Sequence, residues 1–248
     1  GYDSFAATAA ENTDVSETAL TDASADIAVV RAALRYDIGD LANLTGVPGA
    51  DVDPFRLAQS MVGSFEQYFN ALVGDAIDSA TASVGATTVN LSVDNWFSAM
   101  AALEVASVPG PYFAILYPQQ LSDLKQSLRS ENNALQEMTA TQDLMKIFGQ
   151  GFVGNFLGVN TYVSTDVNTA NAGADSVGGM FGEGAIGYAI GTPRPLAGAG
   201  GEVRAAGTPV VVEFQRDASA ALTEIVGHAY CGVSLLEDSR CVQIITDR

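Results

Sequence analysis

The sequence predicts an α+β fold, and three stretches carry the prediction. Between Asp53 and Ser79, apolar residues recur at helical spacing: Ala58, Met61, Val62, Phe65, Phe69, Leu72, Val73, Ala76 and Ile77. The run Tyr112-Phe113-Ala114-Ile115-Leu116-Tyr117 reads as a buried strand that meets Pro118 and a helix carrying Leu121, Leu124 and Leu128. The C-terminal stretch is β-like, with strands expected over Val210–Phe214, Leu222–Val233 and Val242–Thr246, forming an antiparallel sheet with one wet face.

The chain has 248 residues, enough for one large domain or two modest ones. Hydrophobic residues make up 48%, so a sizeable core is available, while charged residues make up only 16%. Lys125 and Lys146 are the only lysines, and the formal net charge is −18. Such a surface has no attraction for phosphate, which argues against a sequence-reading nucleic-acid binder. A surface poor in both signs fits a chain that buries much of its outside against neighbours. No apolar run reaches the length of a membrane-spanning helix. The N-terminus has neither a basic region nor an apolar core of the secretory kind. A start at Gly1 without Met fits either trimming of the initiator or removal of a longer leader.

Taken in order, residues 1–25 are rich in Ala, Ser, Thr, Asp and Glu without Lys or Arg, and read as an extended arm that orders only against other chains. Residues 26–50 mix β-branched and charged residues before the turn Gly46-Val47-Pro48-Gly49, which fits a long hairpin or extended loop. Asp53 as cap and Pro54 at the first helical position start the clearest helix. It is roughly 40 Å long at the helical rise and is expected to act as a lone strut. Ser92 caps the next helix, which runs through Trp96, Phe97, Met100 and Leu103 and is stopped by Pro109-Gly110-Pro111.

Asn132 to Phe148 reads as a further helical stretch ending at Gly149. A Gly154-Asn155 turn then leads into a strand over Leu157–Ser164. Asn168 to Gly179 is small and polar, as an exposed loop would be, and Leu196 to Gly207 is a flexible tract. Trp96, Phe97, Tyr112, Phe113 and Tyr117 are expected to cluster in one core.

Motifs for catalysis fail on context. Gly182-Glu183-Gly184-Ala185-Ile186-Gly187 matches G-x-G-x-x-G and is followed by a stretch that reads as helical. Yet Glu183 would set a carboxylate against a pyrophosphate, and no βαβ unit surrounds it. His228 is the only histidine, and no G-x-S-x-G elbow accompanies it. Glu213 and Glu224 on adjacent strands are candidates for an acid/base pair, but they read better as the wet face of a sheet. Asp166-x-Asn168 begins like a calcium loop and then lacks its Gly and final Glu. Cys231 and Cys241 either face each other across a hairpin near Leu236 or, as is expected here, stay free and buried. Two Cys and one His are too few for zinc. The sequence therefore predicts no enzyme, no cofactor and no metal. The sequons at Asn43 and Asn90 would be irrelevant in a bacterial cytoplasm.

Four stretches together carry a family resemblance. They are Pro111 to Leu128, Gly151 to Val167 with its "Gly-Val-x-x-Tyr-Val-Ser", the expected strand-helix from Gly179 to Ile190, and Ala229-Tyr230-Cys231-Gly232-Val233. In this order the chain resembles the major capsid proteins of tailed bacteriophages of the Hong Kong 97 type. The resemblance implies an N-terminal arm at 1–25, an extended loop at 26–52, a peripheral domain with its spine helix at 53–91 and 206–248, and a central axial domain at 92–205. It implies pentamers and hexamers, in multiples of sixty copies, closing an icosahedral shell around double-stranded DNA in the virion, assembled in the host cytoplasm. Scaffold, portal and decoration proteins are the further partners it implies.

On that resemblance Arg31, Arg35, Tyr36, Arg56 and Glu66 are expected to contact neighbouring subunits. Some members weld subunits through a Lys on the extended loop. Residues 26–50 contain no Lys, so a non-covalent shell is expected. The acidic balance suits an inner wall that does not hold DNA phosphate, and equally suits solubility. An encapsulin-type bacterial compartment is the alternative within the same fold, and a secreted adhesin or a hydrolase the alternative outside it.

Overall fold

The computed structural model describes residues 25–40, 54–131, 152–156, 158–191, 202–204 and 210–248. Among these, the strands form two sheets. The first has the order β1 (Val30–Gly39), β11 (Leu222–Leu235), β10 (Val210–Asp217), β9 (Glu202–Arg204), with β8 (Ile186–Ile190) also paired to β11. The second runs β2 (Ser83–Gly85), β12 (Cys241–Asp247), β7 (Asp175–Gly182), β3 (Tyr112–Leu116), β5 (Val159–Val163), β4 (Phe152–Phe156), with β6 (Asn168–Ala170) on β7. Helix α1 (Pro54–Asp78) crosses from one sheet to the other, while α2 (Val93–Val105) and α3 (Pro118–Glu131) flank the second.

The α1 stripe does what its spacing predicts, but within the chain. Met61 and Phe65 pack on Ile225 and Ala229 of β11, and at its penultimate position Ile77 packs with Ala185 and Cys241. The lone strut is therefore corrected: both sheets cover its apolar face. Full burial of side chains of this size contributes about 1.5–3 kcal/mol each.

α2 begins as expected, with the Ser92 hydroxyl accepting from the Asn95 N–H. It ends before the prolines. Ser107 takes the left-handed conformation (φ 57°), its N–H donates to Glu104 O, and Val108 N–H donates to Leu103 O. This double bond is the Schellman stop, usually built on Gly, with Val108 packed in the same core as Leu103. β3 and α3 sit where the sequence places them.

Five further expectations are corrected. Segment 26–50 contributes β1, a ten-residue strand paired along its whole length with β11, although a hairpin or loop was the reading. The Gly154-Asn155 turn lies inside β4, at a bulge. The chain turns at Gly158 (φ 87°), whose N–H is held by the Asn155 side chain at 2.9 Å. Asn168 to Gly179 is no exposed loop: β7 is the most enclosed strand, because its small residues admit close neighbours. A Cβ on Gly178 would lie 2.6 Å from Gln120 Oε1. After Gly182 comes strand β8, with no helix, and β12 belongs to the second sheet rather than to an antiparallel sheet with β10 and β11. Residues 132–148, and the tract 196–207 apart from β9, lie outside the described residues, as do the arm through residue 24 and residues 41–53.

Candidate functional site

The pleat of β1 sorts the residues expected at subunit contacts. Arg31, Arg35 and Asp37 share the face of the first sheet turned away from α1. Tyr36 takes the other face, where it packs beside Met61 and Phe65 with its hydroxyl 3.3 Å from Ser60 Oγ. Arg35 is gripped by Asp37 at 2.6 Å and Glu224 at 2.7 Å of its own chain. Arg31 is exposed. Among arginines whose side chains are described, it is the one with no ion pair or hydrogen bond. Glu66 is exposed on α1; the side chain of Arg56 lies outside the described residues. The four whose side chains are described thus fall on different faces and form no single site.

Paired charges dominate the outer face of this sheet. Arg216 reaches Asp40 at 2.6 Å, and His228 Nε2 stands 3.9 Å from Glu213. The hydrogen bond from Arg35 holds the Asp37 carboxyl below its ordinary value, and Arg216 does the same to Asp40. All four groups are solvent-exposed, so these pairs stabilise little. Glu213 lies opposite Val226 and Glu224 opposite Gln215. Each carboxylate has its own basic neighbour, so the acid/base reading gains no geometry.

The remaining motifs resolve into structure. Gly182 to Gly187 is strand, turn, strand, and Arg240 closes the turn by donating to Glu183 O at 2.9 Å. Asn70 donates to Asp166, and Asn168 donates to Asp75 and Asp78, so amide groups serve these carboxylates. Among the described residues, no group of three His, Cys, Asp or Glu is arranged to hold a metal. A cavity between Asn70, Ile77, Ile115 and Val167 holds about 120 Å³. That is well below the roughly 300 Å³ at which ligand pockets begin.

Cys231 and Cys241 are free and buried on different sheets, and burial pushes the Cys241 thiol up to about 12. The aromatic cluster is dispersed. Trp96 is enclosed edge-on to Phe156 at 5.4 Å, Phe97 is exposed, and Tyr117 lies under Arg248 with 4.5 Å to its ring centre.

Gln120 is the residue that sequence reasoning missed. Fully buried on α3, it accepts from Tyr117 N–H and donates to Ser176 O, Ile244 O and Thr246 Oγ1 at 2.9–3.0 Å. It ties α3 to β7 and β12. The signal was a polar residue on the Leu121–Leu124 side of an otherwise apolar contact.

No protein-family model matches the chain, and no curated protein matches it in sequence. Solved structures do match in fold. The capsid structure of cyanophage P-SCSP1u superposes with a TM-score of 0.67 at 14% identity, over 99% of this chain and 81% of that one. A chain from Mycobacterium phage Che8 gives 0.64 at 14% identity, over 87% and 70%. The holo-SrpI encapsulin complex from Synechococcus elongatus gives 0.62 at 15% identity, over 89% and 73%.

Proposed function

We propose that this chain, which has the Hong Kong 97-type capsid fold, is the major capsid subunit of a tailed bacteriophage. It self-assembles into the icosahedral head enclosing double-stranded DNA. One observation carries the reading: a chain of a phage capsid structure superposes on this fold over 99% of this chain with a TM-score of 0.67.

In this reading the arm is 1–25, the extended loop 26–52, the peripheral part 53–91 with 206–248, and the axial part 92–205. Copies meet as pentamers and hexamers, with scaffold, portal and decoration proteins as further partners. Arg31, Arg35, Tyr36, Arg56 and Glu66 are its contact candidates. The shell is held without covalent welds, since the extended loop carries no Lys. DNA is enclosed without being read, because a chain of net charge −18 offers phosphate little to hold.

An encapsulin-type compartment is the second reading, and the Synechococcus match favours it specifically. Electron microscopy of particles from the native source separates the two. DNA-filled heads bearing tails support the phage reading. Small cages filled with enzyme cargo support the compartment. A chain that stays monomeric in every condition sinks both.

A further inference from the structure

A groove lies between the last turns of α1 and the second sheet. Its floor is Val73, Ile77, Ile115 and Val167, and Asn70 and Asp166 stand at its mouth. Its volume of about 120 Å³ is a little below that of a cavity of roughly 150 Å³ that takes one benzene. It has room for one side-chain end and no more. Register sets Tyr162 beside Ile115 on the same face, with 40% of the tyrosine exposed.

The groove has the chemistry of a cation seat. Asn70 donates to Asp166 Oδ2 at 3.1 Å, and the Asp166 N–H donates to Ser164 Oγ at 3.1 Å. The carboxylate is held in place, and among the described residues its Oδ1 is left to an outside donor. Asp75 and Asp78 follow on α1, where Asn168 donates to both. The last turn of α1 carries no basic residue. The negative end of the helix dipole therefore meets carboxylates with no cation among the described residues to offset them. A guanidinium suits such a seat. Its stem covers the apolar floor, its plane lies against a tyrosine ring, and its N–H groups reach a carboxylate.

Arg31 is the described arginine without an ion pair or hydrogen bond. It lies on the face of the first sheet turned away from α1, so that sheet stands between it and the groove of its own chain. Val29, 45% exposed, is its apolar neighbour on that face. A Cβ on Gly191 would stand 3.0 Å from Val29 Cγ1 and 3.2 Å from Tyr230 Cβ, and Tyr230 lies opposite Arg31. One surface thus offers a cation beside an apolar side chain, and the other offers a carboxylate over an apolar floor. Complementary but unlike surfaces on identical copies make head-to-tail contacts, the kind that closes rings.

We propose that a second copy of this chain seats its Arg31 in this groove, with the stem over Ile115 and Tyr162 and the guanidinium on Asp166. This rests on the shell reading above and names one contact within it.

Mixed assembly of two full-length variants, Val29→Cys and Thr165→Cys, tests this with both charged residues left in place. Each substitution sits at an exposed position next to its half of the contact, while the natural thiols are buried. Mixed particles treated with a short bismaleimide are expected to yield a dimer at twice the subunit mass of 25.7 kDa on a denaturing gel. Particles of either variant alone are expected to yield none. Mixed particles without the dimer overturn the proposal, and that is also the result if a basic side chain of another protein fills the groove.

Charge exchange gives a second reading. Arg31→Glu is expected to cut particle yield by about tenfold, and Asp166→Arg in the same chain to restore most of it. Folded double-variant subunits without recovery overturn the proposal. Should the double variant fail to fold, the cross-link decides. If the unaltered chain forms no particles at all, the shell reading itself fails. Particles that lack the cross-link leave that reading intact and overturn this one.

Discussion

Phe65 of α1 lies so close over Gly227 of β11 that a Cβ on the glycine would stand 2.8 Å from the Phe65 ring edge at Cε2. The spine helix is thus seated in a notch of its own sheet, with Met61 in the same notch. The helix and sheet form one unit, packed together within the single chain at this point.

That seat predicts two failures. Phe65→Asp puts a charge into an apolar contact and is expected to remove soluble subunit, as read by the soluble fraction on expression. Gly227→Val overfills the notch and is expected to cost about 1–3 kcal/mol in denaturant unfolding. Normal particle yield from Phe65→Asp would contradict the seating of α1.

Gln120 predicts a polar lock. Gln120→Leu keeps the volume but deprives Tyr117 N–H and Thr246 Oγ1 of a buried partner. The expected loss is about 1–3 kcal/mol, measured by chemical denaturation. A neutral or stabilising result would show that the network contributes no net stability.

Asp123 predicts a pH effect. Burial raises its pKa from the ordinary 3.8, against a hydrogen bond from Gln119 that lowers it, while nearby Asp247 raises it further. The folded chain therefore holds this proton more tightly than the unfolded chain. Its contribution to stability falls as pH rises through the window above the ordinary carboxylate value. Asp123→Asn removes that dependence. Its melting temperature relative to the unaltered chain is expected to improve from acid to neutral pH, and a difference that does not change with pH would refute the assignment.

Both thiols predict silence. Cys231 and Cys241 are buried, and burial raises the pKa of each. Folded chain is expected to resist an alkylating reagent at neutral pH, and denatured chain to take up label at both positions by mass spectrometry. Rapid labelling of folded subunits would contradict the packing of β11 and β12.

Local chemistry made much of this fold legible. Pro118 marked a helix start, Ser92 a cap, and the Met61–Phe65–Phe69 rhythm a helix, because each signal acts within one turn. What the sequence hid depends on distant partners. β1 reads as a loop because its mate, Val226 opposite Arg35, lies far along the chain. β7 reads as exposed because Ser176, Gly178 and Gly179 are small for the sake of neighbours that only the fold supplies. β8 reads as helical because a short apolar run carries no decisive period.

Register sorts the contact candidates. Among the described residues Arg31 is exposed and makes no ion pair or hydrogen bond, whereas Arg35 is engaged by its own Asp37 and Glu224 and Tyr36 faces its own helix. A side chain's choice between its own subunit and a neighbour is made by register, which residue type does not reveal.

The central claim is that this polypeptide completes itself only as a closed shell of many copies. Single-particle mass measurement of the purified full chain tests it most directly. The account predicts a population in the megadalton range that survives neither boiling nor denaturant as cross-linked species. A single species at 25.7 kDa, unchanged at high concentration, would contradict it.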